Sequence, residues 1–280
     1  MFTLDPLAAL PVPLGIAVAL VVGLGFFVGM VSAAFGVGGG FVITPFCHAV
    51  LGMPAPLAVA TSMGQIPLLS ASGTWRYLRA GSVDFRRALL LLVGALPSAQ
   101  VVAWWLGRQS PDQWPVLYAN QTLPDLLLLA FFTLCIGGLG VYNLWAGLRR
   151  DRQATLRTRA PLGHTGLILW GTVFGSMSAL LGIGGGFFAV PVFTYLCGMT
   201  PVQAVATSLF AVLVTSAITT AHYLWLGQIH FAISLVIAVG SIVGARIGAG
   251  MALASRPGQL LITLGGAQIL ICAGYIALRL

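Results

Sequence analysis

The chain contains no lysine and no glutamate, and its 280 residues include only 5 acidic ones. Charged residues of every kind make up 6% of it, against 59% hydrophobic residues. Mean hydropathy is +1.01. No water-soluble domain needs that much apolar surface. Catalytic signatures are missing too: there is no HExxH, no GxSxG and no GxxxxGK[ST]. All five aspartates, Asp5, Asp84, Asp112, Asp125 and Asp151, fall at predicted helix ends. Without paired mid-span carboxylates an intramembrane enzyme has little to work with, so the chain reads as no enzyme and implies no cofactor. Cys47, Cys135, Cys197 and Cys272 lie in apolar surroundings without CxxC spacing. They read as small buried hydrophobes, and no metal site follows from them. The first residues, MFTLDPLAALPVPLG, lack a basic n-region and a clear cleavage site, so the first span is expected to stay in the protein.

What is present is long apolar runs. Pro11–Phe35, Ala88–Leu106, Leu123–Leu148 and Phe231–Leu253 each approach or exceed the roughly 20 helical residues that cross a bilayer core. Backbone groups in lipid must be satisfied internally, which favours helices, and the alternating segments of a β-barrel are missing. The fold class expected is an all-α polytopic membrane protein. Trp104, Trp105, Trp114, Trp170 and Trp225 fall near predicted span ends as an interfacial belt. The net charge of +8 rests on 13 arginines. They gather near helix ends, at Arg76, Arg79, Arg86 and Arg87, then at Arg149, Arg150, Arg152, Arg157 and Arg159. That is the pattern of cytoplasmic loops, not of a nucleic-acid partner. The stretch LRRDRQATLRTRAPLGH, 148–164, reads as a cytosolic linker with a secondary capacity for anionic lipid.

A shift of 146 residues aligns the chain on itself. GMVSAAFGVGGGFVITPFCHAVLGMPAPLAVATS (29–62) falls on GSMSALLGIGGGFFAVPVFTYLCGMTPVQAVATS (175–208), with 16 of 34 positions identical. The organisation expected is a first membrane repeat over 1–148, the linker over 149–163 and a second repeat over 164–280. Each repeat should hold four to five membrane segments. Loop 76–87 carries four arginines and its counterpart 222–233 none. That bias favours inverted repeats; the rival is four crossings plus a re-entrant hairpin, with parallel repeats.

The glycine triplets sit inside this duplication. Phe41–Leu51 and Phe187–Cys197 span about 11 residues, or about 16 Å of helix, too short to cross alone. Each triplet therefore marks a broken or re-entrant helix. Unwound backbone at membrane depth is tolerated where protein or a cavity satisfies it, and glycine leaves its N–H open to a ligand. Paired Gly/Pro-interrupted segments point to a transporter's midplane site. Close helix packing by small residues is the competing explanation.

With no carboxylate at depth, the groups left there suit an anion. The candidate substrate-binding residues are Gly38, Gly39, Gly40, Thr61, Ser62, Gln65, Gly184, Gly185, Gly186, Thr207, Ser208 and Arg246. Arg246, taken as mid-span, aligns with Gln100, and a purely structural arginine is the alternative. The Thr and Ser hydroxyls either bind an oxyanion or back-bond to their helix. Arg76 and His222 occupy matching positions and are candidates for coupling or gating; the alternatives are a helix-end arginine and a satisfied interface histidine.

The motifs AAFGVGGGFVITP (33–45), ALLGIGGGFFAVP (179–191) and AVATS at 58–62 and 204–208 resemble the TauE/SafE family of sulfite-exporter-like permeases. The likeness covers nearly the whole chain. It implies a multi-pass protein of the bacterial inner membrane that moves a small sulfur-containing anion, sulfite or an organosulfonate. The expected partners are that anion and the bilayer; a homodimer is left open. A permease for another small solute such as a carboxylate, or a non-transporting scaffold, are the alternatives.

Overall fold

The computed structural model describes residues 5–8, 12–108, 116–118, 121–122, 134, 137–148, 162–255, 262–263, 265–266, 269–270 and 272–274. Most of the basic linker, including Arg149, Arg150, Arg152, Arg157 and Arg159, lies outside the described residues, as do Asp112, Asp125, Asp151, Trp114 and Cys135. Among the described residues the regular structure is helical apart from one short antiparallel ladder, β1 (Val116–Tyr118) with β2 (Gln121–Thr122).

After a four-residue turn α1 (Asp5–Ala8), the first half runs α2 (Leu14–Phe35), α3 (Gly40–Pro45), α4 (Ala55–Arg79) and α5 (Phe85–Gly107). α6 (Gly138–Leu148) follows. The second half runs α7 (His164–Leu181), α8 (Gly186–Pro191), α9 (Pro201–Trp225) and α10 (Phe231–Ala254). Five of these helices, α2, α5, α7, α9 and α10, are long and apolar enough to cross a membrane. α4 is 25 residues long, but its threonines, serines, Gln65 and two arginines dilute its hydropathy.

Local chemistry repeats at the same offset. Gly36 and Gly182 end α2 and α7 in the left-handed conformation, returning their N–H groups to Ser32 O and Ser178 O. Pro45 and Pro191 lack the N–H that would continue each short helix, so both pass into one π turn, Phe46–Val50 and Val192–Leu196. The two short apolar segments are thus Gly40–Val50 and Gly186–Leu196. α4 starts with a proline in its first turn; α9 starts with Pro201 behind a Thr200/Gln203 capping box. Asp84 caps α5 by accepting from Arg87 N at 3.0 Å.

Helices pack across the halves. α2 lies along α10 and α5 along α7, the two most extensive contacts. Small residues let these backbones touch. Gly25 and Gly29 rest on the carbonyls of Ile237 and Ser241, while Gly240, Gly244 and Gly248 rest on those of Val22, Phe26 and Met30. Gly94, Gly171 and Gly175 do the same between α5 and α7. In both pairs contact positions advance together, so the helices are parallel. α4 also runs parallel to α10, with Ser72 Oγ donating to Ile242 O at 2.7 Å. α4 and α9 run in opposite directions: Thr220 donates to Met63 O at 2.9 Å, and Gly73 rests on Leu209. Thus α2, α4 and α10 point one way and α5, α7 and α9 the other.

Candidate functional site

The two chain breaks meet at the centre of this arrangement. A Cβ built on Gly38 would stand 3.2 Å from Gly184 Cα, and Phe41 and Phe187 meet edge to face at 4.9 Å. Gly38, Gly39, Gly184 and Gly185 have φ of 96°, 84°, 86° and 75°. Only glycine adopts such values without strain, and two in succession turn each chain from one helix into the next. A Cβ on Gly40 would overlap Gly182 O, and one on Gly186 would overlap Gly36 O. The breaks therefore interlock, backbone on backbone.

Two fully buried hydroxyls beside the breaks are unpartnered, Ser32 Oγ and Ser178 Oγ. Buried polar groups without partners are rare in folded proteins. A Cβ on Gly39 would lie 2.9 Å from Ser32 Oγ and from Leu69 Cδ2. Gln65, one turn before Leu69 on α4, is fully buried with both amide atoms unpartnered.

The Ala-Thr-Ser pairs are engaged in holding the fold. Ser62 Oγ lies 2.9 Å from Gly182 O, the same distance from Val59 O, and 2.7 Å from Thr44 Oγ1. Ser208 Oγ donates to Gly36 O at 2.8 Å. Each serine so reaches the break of the other half. Thr61 Oγ1 accepts from His230 N at 3.1 Å and Thr207 Oγ1 accepts from Asp84 N at 3.0 Å, pinning the turns that open α10 and α5.

Arg246 stands apart from the breaks. In the fold its side chain is exposed on α10 (Phe231–Ala254), off the glycine stripe that faces α2. Its backbone carbonyl accepts from Arg76 Nη1 at 2.9 Å. Arg76 lies 11 residues beyond Gln65 on α4, or about 16 Å along the axis. At the corresponding place in the other half, His222 Nδ1 donates to Gln100 Oε1 at 2.8 Å, and Gln100 Nε2 donates to Thr219 at 3.3 Å. His222 Nε2 is buried without a partner.

Ser32 and Ser178 are absent from the sequence-based set. Both belong to the identical positions of the 34-residue alignment, one turn before each break, and that coincidence was the available signal.

Together these features define a polytopic helical membrane protein in which two related half-chains close around paired breaks. The chain belongs to the sulfite exporter TauE/SafE family, whose model matches residues 21–275, and so is a membrane transporter, not an enzyme. It is 26% identical over 243 residues to the probable membrane transporter protein YunE of Bacillus subtilis, covering 82% of this chain and 86% of that protein. A probable membrane transporter protein of Xylella fastidiosa is 27% identical over 261 residues, covering 92% of this chain and 94% of its own length. YjnA of Bacillus subtilis, with the same description, is 25% identical over 258 residues, 90% and 96% of the two chains. No solved structure matches the chain.

Proposed function

We propose that the chain is a secondary transporter of a small oxyanion, sulfite or an organosulfonate, in the bacterial inner membrane. The observation that carries this reading is the set of buried, unpartnered donors beside the two touching breaks: the hydroxyls of Ser32 and Ser178 and the amide of Gln65. An oxyanion accepts several such hydrogen bonds at once, and bonds to a charged acceptor are the stronger kind. Among the described residues the carboxylates, Asp5 and Asp84, sit at helix ends, so none competes at depth. The family description, sulfite exporter, favours a sulfur oxyanion over a carboxylate.

The opposed directions of α4 and α9 support an inverted pair of repeats. The arginine-bearing end of α4 then faces the cytosol by charge bias. The anion binds when the breaks part, in the space between Gly38–Gly40 and Gly184–Gly186. Thr61, Ser62, Thr207 and Ser208 hold the edges of that space, and Arg246 adds positive potential on the cytosolic approach. Arg76 with Arg246, and His222 with Gln100, are the two ends at which access alternates.

Uptake of labelled sulfite into proteoliposomes tests this. Ser32→Ala with Ser178→Ala, and separately Gln65→Leu, should weaken apparent affinity about tenfold or more, since a hydrogen bond to a charged group contributes about 1.5–3 kcal/mol. Wild-type uptake by both variants would remove the site. Failure of the unaltered protein to move sulfite, a sulfonate or thiosulfate would remove the substrate class.

A further inference from the structure

A second feature lies at the far end of α4. Trp75, Arg76, Arg79 and Ala80 from α4, with Arg246 and Leu253 from α10, line a pocket of about 700 Å³. Three guanidinium groups share it. No described carboxylate pairs with any of them; the ion pair among the described residues joins Arg87 to Asp84. Two of the arginines are held in place nonetheless. Arg76 donates to Arg246 O at 2.9 Å, and its guanidinium lies against Gly250, where a Cβ would come within 2.8 Å of Cζ. Arg79 stacks on the Trp75 ring at 4.8 Å, and that ring is 54% exposed.

The fold does not require these charges. The same helix junction recurs in the other half with His222 where Arg76 stands and Gln100 where Arg246 stands, and it closes through a hydrogen bond between those two side chains. Gathering three cations without a counter-charge is unfavourable unless something negative completes the cluster. Guanidinium forks match the oxygens of a tetrahedral anion bidentately.

We propose that this pocket is an anion site separate from the chain breaks, and that its ligand is a phosphate group gripped by Arg76, Arg79 and Arg246. The group arrives either as free phosphate or as a phospholipid headgroup, for which an interfacial Trp and an arginine cluster at a helix end are well placed.

Calorimetric titration of the full chain in a neutral maltoside detergent separates the sources. One arm uses inorganic phosphate, the other dihexanoyl phosphatidylglycerol. Saturable binding of phosphate alone identifies a soluble oxyanion; binding of the lipid alone identifies a headgroup. In either arm Arg76→Gln and Arg246→Gln should each weaken binding tenfold or more. Arg79→Gln, on the exposed face, serves if either variant elutes as aggregate. Arg108→Gln, whose partner is the Trp104 ring, should change nothing. Absence of binding in both arms, or binding that survives in the Arg76→Gln/Arg246→Gln double variant, overturns the proposal. No transport is measured, so the outcome is independent of the reading of the chain breaks.

Discussion

Alanine at Gly40 or Gly186 places one methyl group where the two breaks touch. The new carbon at Gly40 would overlap Gly182 O and stand 2.6 Å from Gly182 C and 2.8 Å from Ile183 Cα. At Gly186 it would overlap Gly36 O, 2.6 Å from Val37 Cα and 2.8 Å from Gly36 C. Carbon atoms rest about 3.5–4.0 Å apart, so the opposing break must retreat by roughly 1 Å. The obstacles are backbone, which cannot rotate aside as a side chain does. Overpacking of this kind costs about 1–3 kcal/mol, and the upper end applies here. The two substitutions are reciprocal, so the double variant should lose less than the sum: once the breaks have parted, the second methyl finds room. Gly23→Ala is the control. It lies in α2 with no atom within 4 Å of a built Cβ. It should be neutral or gain up to about 1 kcal/mol from helix propensity. Thermal unfolding in detergent reads the stability, and sulfite uptake reads the function. If Gly40→Ala and Gly186→Ala both melt and transport like Gly23→Ala, the interlocked breaks described above are wrong.

Two other substitutions follow from the packing. Ser62→Ala and Ser208→Ala each remove a hydroxyl beside the carbonyl that ends the other half's first helix, and should lower stability by about 0.5–1.5 kcal/mol in thermal unfolding. The Ser62 change should be the larger, because Thr44 loses a partner as well; equal losses would argue that the Thr44 contact contributes nothing. Gly244→Leu forces α10 away from the Phe26 carbonyl along the longest helix contact. It should leave little folded protein in a size-exclusion profile, and a normal yield would show that α2 and α10 do not approach so closely.

The glycine breaks, the short helices after them and the paired Ala-Thr-Ser were legible because duplication wrote each of them twice. Helix ends were legible beside the glycine triplets, where the run Pro11–Phe35 stops and the short segments begin, because glycine acts through local backbone chemistry. The placement of Arg246 was not. A count along α10 puts it near mid-span, but its exposure depends on which face the Gly240–Gly244–Gly248 stripe turns toward α2, and on Arg76 arriving from α4. Gln65 was visible as a polar residue in an apolar run, whereas the lack of a hydrogen-bond partner for its amide was not. Ser32 and Ser178 looked like ordinary small residues until their neighbours were known to offer no partner.

The amino-acid sequence alone determined the solvent this protein is built for, the two-fold duplication and the positions where its helices break, since composition, repetition and backbone preference are properties of the chain. Tertiary structure alone decided that each break is completed by the opposite half, that Thr61 and Thr207 serve the turns before α10 and α5, and that three arginines share one pocket. Those are contacts between residues as many as 172 positions apart, and no local preference encodes which distant surface a helix will meet.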